Sequence, residues 1–319
     1  MSNRASGATP TVSVIVRSVG RPTLERALAS IAAQDHPHVE VVVVAASGEG
    51  HPALPGRCGE FPIRVVQERR KLPRAEAADA GMRAATGDFI TYLDDDDEFL
   101  PEHVSGLWRA LASEPGAFAV NGRALATFAS GATQIFGQRF ALSELYARNF
   151  ISLSMLLFSR ALLERGIAFD FRLPMHEDWD IALQIAQHTR FADQPHATYR
   201  WYADVGESGG GGGATVSEAS FALHRDYVYE KWAPVCDPFL ERCEALIKTA
   251  SAALNDGRLD EARARAEELL SISQNDPHAL NFRAMLAFRR GNSQEALALQ
   301  MRATGRRRAC RRSGPRRRP

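Results

Sequence analysis

The chain has 319 residues, more than one hydrophobic core usually supports, so a large domain and a smaller one are expected. Apolar residues make up 45% and charged residues 24%, a balance that excludes wholesale disorder. The formal charge of +1 conceals a basic tail: eight arginines lie between Arg306 and Arg318, and without them the chain is net negative, which excludes nucleic-acid binding by charge.

Thr11–Arg17 is a β-branched run that reads as a strand, and Thr23–Gln34 then sets Leu24, Ala27, Leu28 and Ile31 on one helical face. Val39–Ala45 is almost continuously apolar, as in a strand buried on both faces, and Ile63–Val66 offers a third strand. Arg74–Ala85 reads as an alanine-rich helix closed by Gly87, and Phe89–Leu93 as a strand that delivers the chain into Asp94. Such alternation predicts an α/β, Rossmann-like domain with a mostly parallel sheet, whose ligands bind beyond the carboxyl ends of the strands. Further on, Pro101–Ala112 and Asp178–Ala186 read as helices, and Ala124–Phe136 as a hairpin turning at Ser130-Gly131.

Ser208–Gly213 holds five consecutive glycines and reads as a mobile loop or a linker. Behind it the pattern is helical throughout, and Leu254, Gly257 and Ala262 recur 34 residues later as Phe288, Gly291 and Ala296, with Asp276-Pro277 between them. That period and that proline are similar to tetratricopeptide repeats, which implies a small all-α segment able to hold a protein partner. The expected division is 10–231 for the α/β domain, 238–302 for the helical segment and 303–319 for a disordered, arginine-rich tail. The four cysteines, Cys58, Cys236, Cys243 and Cys310, have neither CxxC nor zinc spacing and read as reduced thiols. With no leader pattern in Met1–Pro10 and no apolar run near the length of a membrane span, a cytoplasmic location is expected, a peripheral place at the inner membrane face being left open.

Asp94-Asp95-Asp96-Asp97-Glu98 is the sharpest local feature. Five adjacent acids repel one another unless a cation or solvent offsets them, and a hard divalent ion that also bridges a diphosphate is a natural counter-charge. A solvated acidic loop is the plainer alternative on charge alone. A second acidic stretch, His176-Glu177-Asp178-Trp179-Asp180, opens a helix, where negative charge is favoured whatever its chemistry.

The framing of these acids is what carries a resemblance. VSVIVRSVGRPTLERALASIAAQ, VEVVVVAAS, LPRAEAADAGMRAATGDFITYLDDDD and EFLPEHV, taken together over Val12–Val104, resemble the N-terminal half of family 2 glycosyltransferases of the GT-A fold. The resemblance implies an inverting, hexosyltransferase-type enzyme of polysaccharide biosynthesis that uses a nucleoside-diphosphate sugar, a UDP-sugar first among them, and a glycan, lipid-linked or protein acceptor. It implies that Asp94 and Asp96 form the Asp-x-Asp metal site for Mn2+ or Mg2+, and that Arg74, Asp79, Asp94 and Asp95 bind the nucleotide sugar. Glu177 and Asp178 match the family's catalytic Glu-Asp motif, with Asp178 as general base, although Asp180 is a register alternative.

The chain departs from the pattern in three places. Ala45-Ala46-Ser47-Gly48 stands where relatives carry an acidic pair that reads the base, Asp79 where asparagine is common, and Tyr202 where a metal-side histidine follows Tyr199-Arg200. A phenol is a poor substitute for imidazole as a divalent-metal ligand. Two competing functions follow: a degenerate, non-catalytic transferase that serves as a partner-binding module, and a nucleotidyltransferase, which also uses acidic metal sites on α/β sheets.

Overall fold

The structure, a computed structural model, describes residues 9–203 and 217–304. The five-glycine segment and the tail beyond Thr304 lie outside the described residues, as do their expected roles. The elements run β1 (Val12–Ser18), α1 (Leu24–Ala32), β2 (Val39–Ala45), β3 (Arg57–Cys58), β4 (Phe61–Gln67), α2 (Arg74–Ala84), β5 (Phe89–Asp94), β6 (Glu98–Phe99) and α3 (His103–Ala112). There follow β7 (Ala117–Thr127), β8 (Thr133–Phe136), α4 (Leu142–Ala147), β9 (Leu156–Ser159), α5 (Glu177–Ala186) and β10 (Arg190–Tyr202). Four helices complete the described residues: α6 (Glu218–Asn255), α7 (Leu259–Ile272), α8 (Pro277–Arg289) and α9 (Ser293–Thr304).

One sheet carries the order β3-β4-β2-β1-β5-β9-β7-β10-β6, with β8 paired to β7. Its first half is parallel, β4 to β2 to β1 to β5, as the alternation of strand and helix requires. The expected parallel pairing holds there and again between β7 and β10. β9 lies antiparallel to both β5 and β7, and β8 turns straight back on β7, the loop between them being too short for the crossover that parallel pairing needs. The sheet is therefore mixed, with β10 returning parallel to β7.

Packing in the parallel half follows from residue size. Leu24, Ala27 and Ile31 of α1 bury their side chains in the core built on β1 and β2. On α2, Gly81 permits an approach that no other residue allows, because a Cβ there would stand 2.3 Å from Ile15 Cγ2. The alanine-rich face of α2 thus lies directly on β1 and β2, and its first residue, Arg74, is brought to their carboxyl ends.

Two compact units divide the chain. The first holds the described residues up to Phe140 and Leu145–Cys236; the second holds Ala141–Glu144 and the described residues from Asp237 onward. In the second unit, Gly257 and Gly291 both have φ of 78°. Each closes a helix in the same way: Arg258 N–H donates to the Ala253 carbonyl at 2.8 Å, and Asn292 N–H to the Ala287 carbonyl at 3.0 Å. Asp276 caps α8 by accepting from the amides of His278 and Ala279, with Pro277 in the first turn. Leu254 packs with Phe282 and Leu286, whereas its counterpart 34 residues on, Phe288, is 68% exposed.

Candidate active site

Asp94 ends β5 beside Arg17 at the end of β1, the two residues being paired in the parallel register. Arg17 Nε donates to Asp94 Oδ1 at 2.9 Å and Nη2 to Oδ2 at 3.0 Å. Its Nη1 donates to Glu177 Oε1 at 2.7 Å, and Arg74 Nε reaches the same oxygen at 3.2 Å. Burial works against the charge on Arg17, but Asp94 and Glu177 outweigh it and hold its proton more tightly than usual. Burial likewise pulls Asp94 and Glu177 upward, yet Arg17 and Arg74 leave both carboxyls below their ordinary range. Glu177, 3% exposed, is thus a fixed carboxylate between two arginines.

The remaining acids of the cluster face different surroundings. Asp95 is fully buried, accepting from Ser18 Oγ and the Val19 amide, each at 2.9 Å, and from Arg21. Asp97 accepts from the Tyr199 hydroxyl and, at 2.9 Å, from the Tyr202 amide. Asp96 keeps its carboxylate 3.6 Å from Arg21 while its carbonyl accepts from Arg26. Burial and then the neighbouring carboxylates push Asp96 and Asp97 above the usual carboxylate range. Asp94, Asp96 and Asp97 can each offer one oxygen with all three within 4.8 Å, a hard-oxygen set suited to a divalent cation.

On the opposite wall, α5 is entered through His176, whose φ of 62° is left-handed for a residue with a side chain. Its ring packs edge-on against Phe221 and Trp179. Asp178 Oδ1 accepts from Asn149 Nδ2 at 3.0 Å and from the Trp179 amide at 2.7 Å. Burial, and then the neighbouring Glu177, push the Asp178 carboxyl up to about 7, against the pull of Arg74, the Trp179 amide and Asn149. Asp180 faces away: it is 1% exposed and meets Lys231 Nζ, Trp232 Nε1 and Gln184 Nε2, each at 2.8 Å.

Two cavities share a wall made of Arg17, Arg74, Asp94, Asp96 and Met175. One, of about 290 Å³, contains Asp178 and Asn149 together with Phe136, Trp201, Tyr202 and Phe221. The other, of about 260 Å³, is bounded by Ser18, Val19, Ala46, Lys71, Leu72 and Pro73. Asp94, Asp96, Arg74, Glu177 and Asp178 are therefore brought together, whereas Asp79 and Asp95 line neither cavity. Asp79, expected at the nucleotide sugar, instead accepts from Arg83 one helical turn on at 2.6 Å, and the oxygens of Asp95 are consumed by the β1 end. Tyr202 donates its hydroxyl to Glu98 at 3.1 Å, and its ring lies under the Arg26 guanidinium, 3.9 Å from the centroid. Arg17, Asn149 and the Phe136–Trp201 pair were missed from sequence. Only Arg17 left a trace there, as a lone charge ending an apolar strand.

Residues 13–166 match the family model described as glycosyl transferase family 2. The chain is similar to the uncharacterized glycosyltransferase YwdF of Bacillus subtilis (strain 168), 27% identical over 210 residues that span 62% of this chain and 76% of that protein. It is also similar to the succinoglycan biosynthesis protein ExoO of Rhizobium meliloti (strain 1021), 27% identical over 224 residues, 65% of this chain and 64% of that one. Among solved structures it resembles TarS 1-349 of S. aureus in complex with UDP-GlcNAc, with a TM-score of 0.56, 17% identity, and coverage of 91% and 90%. The mannosyltransferase PcManGT from Pyrobaculum calidifontis, in complex with GDP-Man and Mn2+, gives a TM-score of 0.51, 21% identity, and coverage of 93% and 87%. The structural likenesses show that the α/β domain has the GT-A glycosyltransferase fold. No helix among the described residues is long and apolar enough to cross a membrane.

Proposed function

We propose that this chain, with its glycosyl transferase family 2 domain at residues 13–166, is an inverting hexosyltransferase that moves a sugar from a nucleoside-diphosphate donor, a UDP-sugar first among them, to an acceptor hydroxyl. The observation that carries this reading is the placement of Asp178 in one cavity with Asp94, Asp96 and Arg74. The Oδ1 atom of Asp178 is engaged by Asn149 and Trp179, which leaves Oδ2 to take the acceptor's proton. A carboxyl raised to about 7 is matched to that task, since a general base works best with a pKa near the working pH.

As that proton moves to Oδ2, the acceptor oxygen bonds to the anomeric carbon on the face opposite the diphosphate. The bond from that carbon to the diphosphate breaks, and its electron pair leaves with the phosphate oxygen. Arg74, 39% exposed on the shared wall, faces the departing charge. Carboxylates of the Asp94–Asp97 stretch would hold a divalent cation, Mn2+ or Mg2+, which would supply further neutralisation of the diphosphate. The nucleotide belongs in the cavity beside Ala46, Lys71 and Pro73, where recognition of the base falls to apolar and main-chain groups. On the acceptor side, Phe136 and Trp201, with ring centroids 5.5 Å apart, offer flat faces to a sugar ring.

Catalysis in the cytoplasm fits this donor class. The matched helix ends at Gly257 and Gly291 support a tetratricopeptide-like reading of the second unit, with partner recruitment as its role. The deciding experiment is a screen of nucleotide sugars for metal-dependent thermal stabilisation, followed by donor hydrolysis with Asp178→Asn. Stabilisation by no nucleotide sugar, with or without Mn2+, would overturn sugar transfer.

A further inference from the structure

Both oxygens of Asp94 are already engaged by a cation that the chain supplies. Arg17 meets them through Nε and Nη2, in the bidentate arrangement that guanidinium and carboxylate favour. The pairing is fixed by the backbone, because Arg17 and Asp94 are opposite residues of neighbouring parallel strands. Arg17 is 8% exposed, and its remaining Nη1 is committed to the buried Glu177, so withdrawal would leave both carboxylates to Arg74, at 3.7 Å from Asp94 and 3.2 Å from Glu177. An arginine does not lose its charge under such conditions. A divalent ion at the Asp94 oxygens would therefore sit against a permanent positive charge.

Asp96 and Asp97 present a different environment. The donors to Asp97 are a phenol and a backbone amide, which are neutral and leave lone pairs free for a cation. The nearest cation to the Asp96 carboxylate is Arg21, at 3.6 Å, while Arg21 is also bound to Asp95.

We infer that Arg17 withholds Asp94 from the divalent cation, so that Asp96 and Asp97 carry the ion in this chain while Asp94 serves to hold Arg17, and through it Glu177 and the first turn of the base helix. Arg17 is thus a positioning residue that joins the metal side of the site to the base side. The inference rests on the sugar-transfer reading for its cation, but its test does not depend on turnover. The competing arrangement is a guanidinium that swings toward the diphosphate and surrenders Asp94 once nucleotide binds.

Mn2+ binding, followed by electron paramagnetic resonance of the free ion, separates the two. The full chain is titrated alone and again with saturating UDP against a UDP-only blank. Asp96→Asn is expected to weaken Mn2+ binding by about tenfold or more, whereas Asp94→Asn is expected to stay within about threefold of the unaltered chain, the scale of an uninvolved substitution. Arg17→Gln is expected to tighten binding by about tenfold or more, and the gain should vanish in the Arg17→Gln/Asp94→Asn double variant. If Asp94→Asn weakens Mn2+ as much as Asp96→Asn does, alone or with UDP, the inference is wrong. It is equally wrong if Arg17→Gln folds and gains no affinity. Thermal stabilisation of the unaltered chain by nucleotide sugars tests the sugar-transfer reading by itself, so failure of one is told apart from failure of the other.

Discussion

Asn149 donates to Asp178 across 3.0 Å, a neutral side chain that steadies the ionised form of that carboxylate. The residue lies between α4 and β9, in a stretch with no periodic pattern, yet it bears directly on when Asp178 carries charge. Burial and Glu177 push the carboxyl up, and Asn149 pulls part of the way back.

Removing that hydrogen bond should therefore move the pH dependence. Transfer or donor hydrolysis requires the deprotonated Asp178, so kcat/KM should rise with pH and be half-maximal near 7. Asn149→Ala is expected to shift that limb upward by about one unit, the worth of a hydrogen bond to a charged group. An unmoved limb would show that another group sets the profile.

Asp178→Asn should lower transfer by about 10²–10⁴-fold while leaving donor affinity intact. The same variant should melt higher, not lower, at pH 8. The folded-state pKa of Asp178 is raised, so ionising it costs stability as pH climbs from the ordinary carboxylate range to about 7, and the cost is complete above that. Asparagine carries no such cost. The difference in Tm between the two proteins should accordingly be largest at pH 8 and disappear near pH 4.

Asp180→Asn is the contrasting substitution. It leaves Lys231 with Asp170 as its remaining carboxylate and should destabilise by about 1–2 kcal/mol, the worth of a weakened charge-assisted hydrogen bond. Below the lowered Tm, transfer should persist with an unchanged pH limb. Loss of transfer with normal melting would mean that Asp180, not Asp178, is the base.

Gly81→Ala tests how the arginine wall is set. A methyl group at that position collides with Ile15 and should cost about 1–3 kcal/mol by lifting α2 off β1. Because Arg74 starts the same helix, donor affinity measured by calorimetry should fall as well.

Much of the parallel half was legible in the residues. Val39–Ala45 read as a strand buried on both faces and is one, and the predicted turn at Ser130-Gly131 sits where Gly131 takes φ of 81° between β7 and β8. The reason is that these signals are local: apolar periodicity and glycine conformation need no distant partner. β10 was not legible, because Pro195 and three register shifts break its alternation, and β6 is too short to leave a pattern. Among the acids, type and position brought Asp94, Asp96 and Asp178 to one cavity, but direction could not be read. Asp95 turns toward the β1 end and Asp79 along its own helix because of Ser18 and Arg83, contacts that no spacing announces. Arg17 gains its meaning only from a register with a strand 77 residues later, and Asp180 only from Lys231 and Trp232.

On the repeat reading proposed for the second unit, the matched closures at Gly257 and Gly291 carry an expectation of a different kind, which is that the unit can be lengthened. Both joints have the same backbone angle and the same bond from the following residue back to the helix, so a duplicated copy of 258–291 inserted after Gly291 rejoins like with like. In that longer chain the copied Phe282 and Leu286 would reach Phe288 as the originals reach Leu254, and a side chain now 68% exposed would become interior. On the tetratricopeptide-like reading proposed above, the helical unit is written in modules, and the surface it offers is expected to extend in 34-residue steps with its joints unchanged.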